Sequence, residues 1–213
     1  MAINIGREID HIVYAVKDLD QAMIAIAEVT GVTPVVGGCH THKGTKNALI
    51  HLGNKCYLEL ITVDEANLNI KGPRWMGVDL IDSPRITRWS LKSDDLASDA
   101  ELLKAYQNDM GVIDKGSREM NNGQLLQWAM ILPLSHPAVE IIPFVTDWQQ
   151  ADIHPTDQLQ EACALVDITL THPDPHMIND TMRNLGLTTV VKASPVVSIE
   201  IKIECPNGLV TIR

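Results

Sequence analysis

Three stretches of this chain share one plan, and that plan limits the fold more than any single residue does. They are "HIVYAVKDLDQAMIAIAEVTGV" (11–32), "RWSLKSDDLASDAELLKAYQNDMGV" (88–112) and "DITLTHPDPHMINDTMRNLGL" (167–187). Each passes from an apolar or alternating segment to an aspartate, then a helical segment, then a glycine followed by an aliphatic residue. The marker aspartates Asp18, Asp95 and Asp174 stand 77 and then 79 residues apart. Aspartate at such a point caps a helix by accepting from its first free N–H groups. Gly31, Gly111 and Gly186 stand where a helix end calls for a left-handed residue.

Three strand-like runs follow each helix. They are "TPVVGG", "KNALIHLG" and "CYLELITV" in the first unit, then "VIDKGS", "QLLQWAMIL" and "VEIIPFVTDW" in the second. The third unit has "TTVVKAS", "VSIEIKIEC" and "GLVTIR". The expected architecture is therefore α+β, with βαβββ modules over 1–63, 86–148 and 163–213. The connector 64–85 is long for a plain loop, and this predicts that it folds over a pocket.

Composition narrows the partners. A formal net charge of −10 does not suit nucleic acid or an anionic membrane surface. The apolar runs are strand-length, too short to span a membrane. "MAINIGREID" lacks the apolar core of a leader, so the expected location is the cytoplasm. Cys39, Cys56, Cys163 and Cys205 show no CxxC spacing and are expected to be reduced, mostly as small buried hydrophobes.

Several residues interrupt the pattern. Strand side chains alternate, so His11 shares a face with Val13 and Ala15, and Glu59 shares one with Tyr57 and Ile61. A histidine and a carboxylate in adjacent apolar strands either hydrogen-bond each other or share an ion. His40 and His42, two apart between glycines, would face one way on a strand or face solvent in a loop. Asn47 reads as a pocket hydrogen-bonder or a turn residue. Arg118 stands beside the hairpin signal Asn121-Asn122-Gly123, opposite the strand of Gln127 and Trp128, as an anion clamp or a surface ion pair. Trp89, Trp128, Phe144 and Trp148 cluster in the second unit as a ring-lined wall or as core. GxSxG and GxxxxGK[ST] are absent.

The order of "DHIVYAVKDLDQA", "GTKNALIHLGNKCYLELI", "RWSLKSDDL", "SREMNNGQLLQWAMILP" and "IPFVTDW…HP" resembles the glyoxalase-like branch of the vicinal oxygen chelate superfamily. The likeness covers nearly the whole chain. It implies two modules curling into a cup-shaped mixed sheet, with the third unit as a C-terminal extension. It also implies metal ligands: a His or Gln on the first strand and a Glu on the last strand of each module. His11 and Glu59 match the first pair, with Glu59 also a candidate catalytic group. Arg88 stands in the place of His11 in the second module, and Val145 or Thr146 in the place of Glu59. In the third unit Asp167 matches His11, and Thr211 or Ile212 matches Glu59.

The implied cofactor is one divalent metal (Zn, Ni, Mn or Fe) or none. The implied function is metal-assisted lyase, isomerase or dioxygenase chemistry on a small oxygen-rich or carbonyl-bearing molecule. The alternative is metal-free binding or sequestration, as in bleomycin-resistance proteins. Arg118, Trp128, Asn47 and Trp89 are the expected ligand contacts. Two modules close one cup, so the third is expected to lack a partner within the chain and to drive homodimer formation.

Overall fold

A computed structural model describes residues 3–67, 69–119, 125–148, 151 and 153–213, with the side chains of residues 118, 119 and 125 outside that description. The first unit comprises β1 (Ile9–Ala15), α1 (Leu19–Thr30), β2 (Val35–His40), β3 (Thr45–His51) and β4 (Tyr57–Val63). The second comprises β5 (Arg85–Lys92), α2 (Leu96–Tyr106), β6 (Ile113–Glu119), β7 (Leu125–Ile131) and β8 (Phe144–Asp147). The third comprises β9 (Ala164–His172), α3 (His176–Asn184), β10 (Lys192–Ala193), β11 (Ser198–Cys205) and β12 (Gly208–Ile212). The chain thus has the α+β class and the repeated βαβββ order. The hairpin signal 121–123 lies outside the described residues.

Local chemistry sets the helix starts. Asp18 and Asp95 cap α1 and α2, accepting from the N–H groups of Gln21 and Ser98. Gly31 closes α1 in the left-handed region at φ 76°. Two expectations fail. Pro175, not Asp174, is the N-cap of α3. Gly111 closes a 3-10 turn after α2 has already ended at Tyr106.

Strands of the first two units form one mixed sheet in the order β2-β3-β4-β1-β5-β8-β7-β6. Each unit contributes a block of the same internal order, and the blocks meet where β1 runs antiparallel to β5. The sheet curls until its edge strands β2 and β6 touch. Lys43 Nζ bonds Asp114 Oδ2 across that seam at 2.9 Å. The connector 64–85 does fold over the cup. Its 3-10 turn Trp75–Gly77 places Trp75 and Met76 against Val13, Ile61, Met130 and Phe144.

The third unit forms a separate sheet, β10-β9-β11-β12. Strict alternation along β11 buries Ile199, Ile201 and Ile203 and turns Glu200, Lys202 and Glu204 away. Those isoleucines join Ile12, Trp89 and Leu103 in the larger core on the back of the cup. The third unit therefore has its partner within the chain, and the physical reason for expecting a homodimer falls away. The cysteine expectation also needs correction: Cys163 and Cys205 are bonded to each other, joining the lead-in to β9 with the end of β11, and that disulfide includes neither Cys39 nor Cys56. Among the described residues no helix is long and apolar enough to cross a membrane.

Candidate functional site

A β-bulge builds the centre of the site. Along β1 the register with β5 slips between Ile9 and His11, leaving Asp10 as the extra residue. Neighbouring strand residues normally face opposite sides, and a bulge re-aims one of them. Here Asp10 Oδ1 lies 2.5 Å from His11 Nδ1, with both side chains buried. Trp148 Nε1 donates to Asp10 Oδ2 at 2.7 Å, and His154 Nε2 stands 3.5 Å from the same oxygen. Burial alone would raise the Asp10 pKa, but the bonds and charges of His11 and His154 outweigh it and hold the carboxyl below its usual range. Asp10 is thus the ionised acceptor and His11 Nδ1 the donor. His154 Nδ1 accepts from the Thr156 N–H, so its other nitrogen carries the ring proton toward Asp10.

Parallel pairing sets His11 beside Tyr57 and Val13 beside Glu59. The His11 ring stacks on Tyr57 at 4.7 Å and meets Phe144 edge-on at 5.1 Å. Its Nε2 lies 3.8 Å from Glu59 Oε2. From the other side, His40 Nε2 lies 4.0 Å from Glu59 Oε1, and Asn47 Nδ2 donates to that oxygen at 2.6 Å. Of the two Asn47 amide atoms only the nitrogen can donate, so the Oδ1 is turned away from the carboxylate as a buried acceptor with no hydrogen-bond partner among the described residues. Thr45 supports His40 from behind, its hydroxyl 3.0 Å from His40 Nδ1 and accepting from Trp75 Nε1.

These groups line a small pocket in the cup. Its polar lining is His11, His40, Asn47 and Glu59; Trp75, Trp128, Trp148 and Tyr57 supply the rings. Trp128 lies across Gly116 on the neighbouring strand, where an added Cβ would come within 2.3 Å of the indole. Gly116→Ala should therefore push Trp128 out of place at a cost of about 1–3 kcal/mol. Near-UV circular dichroism and thermal melting read this directly; an unchanged spectrum and Tm would contradict the packing.

The structure brings His11, Glu59, Asn47 and Trp128 to one cavity. It places Trp89 elsewhere: fully buried on the back of the sheet, its Nε1 donating to Ile141 O. Alternation required this, because its neighbour Arg88 takes the cup face. Arg118 pairs with Leu126 across β6 and β7, and its side chain lies outside the described residues. His40 and His42 part company, since β2 ends at His40 and His42 sits exposed in the following turn. Sequence reasoning missed Asp10, Trp75 and His154, which the bulge and the two connectors bring in.

Donor geometry tests the implied metal. Separations of 3.8 and 4.0 Å around Glu59 suit two donors each about 2.0–2.2 Å from one ion. The described residues of the second module supply no complement. Buried Arg88 donates there to the carbonyls of Thr87, Leu134, Pro137 and Ala138, and Ser90 and Thr146 bond each other at 2.8 Å. Among the described residues no three His, Cys, Asp or Glu side chains are arranged to hold an ion. The residues present do not fit a metal shared between two modules.

Comparison with known proteins agrees with this architecture. A family model described as a glyoxalase-like domain matches residues 9–186. The chain belongs to that family. A hypothetical protein from Staphylococcus aureus shares the fold of this glyoxalase-like chain, with a TM-score of 0.62 at 16% identity over 97% of this chain and 85% of that one. A methylmalonyl-CoA epimerase from Mycobacterium tuberculosis matches at a TM-score of 0.39 and 18% identity, over 69% of this chain and 91% of that one. No curated protein matches.

Proposed function

We propose that the cup binds one small molecule without a metal, and that Glu59 exchanges a proton with it. The observation that carries this is the placement of Glu59. It is the only Asp, Glu, Lys or Arg on the described lining, held on one oxygen by Asn47 and flanked by the imidazoles of His11 and His40. A carboxylate so placed, with a hydrogen-bonded imidazole beside it, suits general acid–base work at one end of a ligand. Trp75, Trp128 and Trp148 offer ring faces to the apolar remainder. On a carbonyl-bearing molecule the step would be proton transfer of the isomerase or lyase kind; without turnover the same contacts make a binding protein.

Arg88 favours the metal-free form, because it sets a fixed cation where the second module would offer a ligand. Its pKa is pulled down to about 10 by burial, partly offset by Glu140. A thermal-shift screen of small carbonyl compounds, alcohols, amines and carboxylates tests the proposal on wild type, Glu59→Gln and His11→Ala. The expected result is a ligand class that raises the Tm of wild type and loses at least about tenfold in affinity with Glu59→Gln, roughly 1.4 kcal/mol. Ligands that both variants retain in full would sink it.

A further inference from the structure

The lining of the cavity has acceptors to spare and few donors. Asn47 Oδ1 is a buried oxygen with no hydrogen-bond partner among the described residues, and Asn47 is only 2% exposed. Glu59 carries a negative charge beside it, bonded by Asn47 on one oxygen. Two of the three indole N–H groups on the lining are already committed, Trp75 to Thr45 and Trp148 to Asp10. No lysine or arginine is among the described lining residues. A carboxylate or phosphate would therefore meet a carboxylate and a bare amide oxygen. A ligand that fits must bring its own N–H donors and preferably a positive charge.

Rings complete the picture. Trp75, Trp128, Trp148 and Tyr57 surround the carboxylate, and a cation over such faces is attracted by their quadrupoles. One of these rings already holds a cation in this protein: Lys43 Nζ stands 5.5 Å over Trp75 at the rim. The chain's net charge of −10 would draw cations and repel anions at long range.

We infer that the ligand of the cup is a small primary or secondary ammonium carried on an apolar body, with its N–H groups on Glu59 and Asn47 Oδ1 and its carbon frame between the indoles. A quaternary ammonium would satisfy the rings but leave Asn47 Oδ1 without a donor. This rests on the reading of the cup as a binding site and names its ligand class.

Isothermal titration of the full chain, freed of metal by chelation and dialysis, separates the two. The probes are benzylammonium chloride, benzyltrimethylammonium chloride, benzyl alcohol and sodium phenylacetate. Benzylammonium should bind at least about tenfold tighter than benzyl alcohol and than the trimethyl analogue, with phenylacetate weakest. Glu59→Gln should remove the preference for the amine over benzyl alcohol. If the alcohol or phenylacetate binds as tightly as the amine in wild type, the ammonium inference is overturned and the cup remains a binding site. If none of the four binds, both fall. The wild-type comparison decides even where the variant does not fold.

Discussion

Asp10→Asn is expected to cost about 3–5 kcal/mol of stability, the range for removing one partner of a buried charged cluster. Two carboxylate oxygens now face three nitrogen donors: His11 Nδ1, Trp148 Nε1 and His154 Nε2. An amide offers one acceptor and turns N–H groups toward the rest, leaving buried donors opposed to donors. The effect should also show in acid. The Asp10 carboxyl is held below its ordinary value, so its contribution is present above the unfolded value near pH 4 and is lost as pH falls through the lowered one. Urea unfolding at pH 7 and at lower pH should therefore find the gap between wild type and Asp10→Asn narrowing with acid. A loss under about 1 kcal/mol at pH 7, or a gap independent of pH, would contradict the role given to Asp10. The bond from His11 Nδ1 also leaves Nε2 as the atom that faces Glu59, so ligand affinity should fall in the same variant.

Arg88→Met is expected to cost about 2–4 kcal/mol. Methionine fills much of the volume but orphans the carbonyls of Thr87, Leu134, Pro137 and Ala138, each of which now receives a guanidinium N–H. The loss is offset in part, because burial of the guanidinium is itself costly. Arg88→Lys should recover only a fraction, since one ammonium cannot reproduce the planar fork that spans residues 134 to 138. Denaturant midpoints for both variants test this. A fully stable Arg88→Met would mean that the segment 132–140 is held by its apolar contacts alone.

Much of the fold could be read from local chemistry. Capping aspartates at Asp18 and Asp95 and the period-two burial of β11 are signals within a few residues of their effect. His11, Glu59, Asn47 and Trp128 were legible because each interrupts or ends a strand pattern on a definite face. The rest depended on events that pattern does not carry. Adjacent residues such as Asp10 and His11 share a site only because of a bulge. Trp75 and Trp148 arrive from outside the strands of the cup, held by bonds to Thr45 and Asp10, and His154 arrives within 3.5 Å of Asp10. The pairing of Cys163 with Cys205 joins segments 42 residues apart, with no spacing motif to announce it. Trp89 is different: alternation next to Arg88 already assigned it to the back of the sheet.

Histidine resonances give the most direct test of the cup as the binding site. The chain has eight histidines, of which His11 and His40 line the cavity while His136, His172 and His176 do not. Long-range proton–nitrogen NMR spectra, recorded while benzylammonium, benzyl alcohol or phenylacetate is added, report each ring separately. Binding in the cup predicts that the ligand that binds moves the ring signals of His11 and His40 and leaves those of His136, His172 and His176 in place. Shifts confined to the latter three, or no shift at His11 and His40 at saturating ligand, would contradict it.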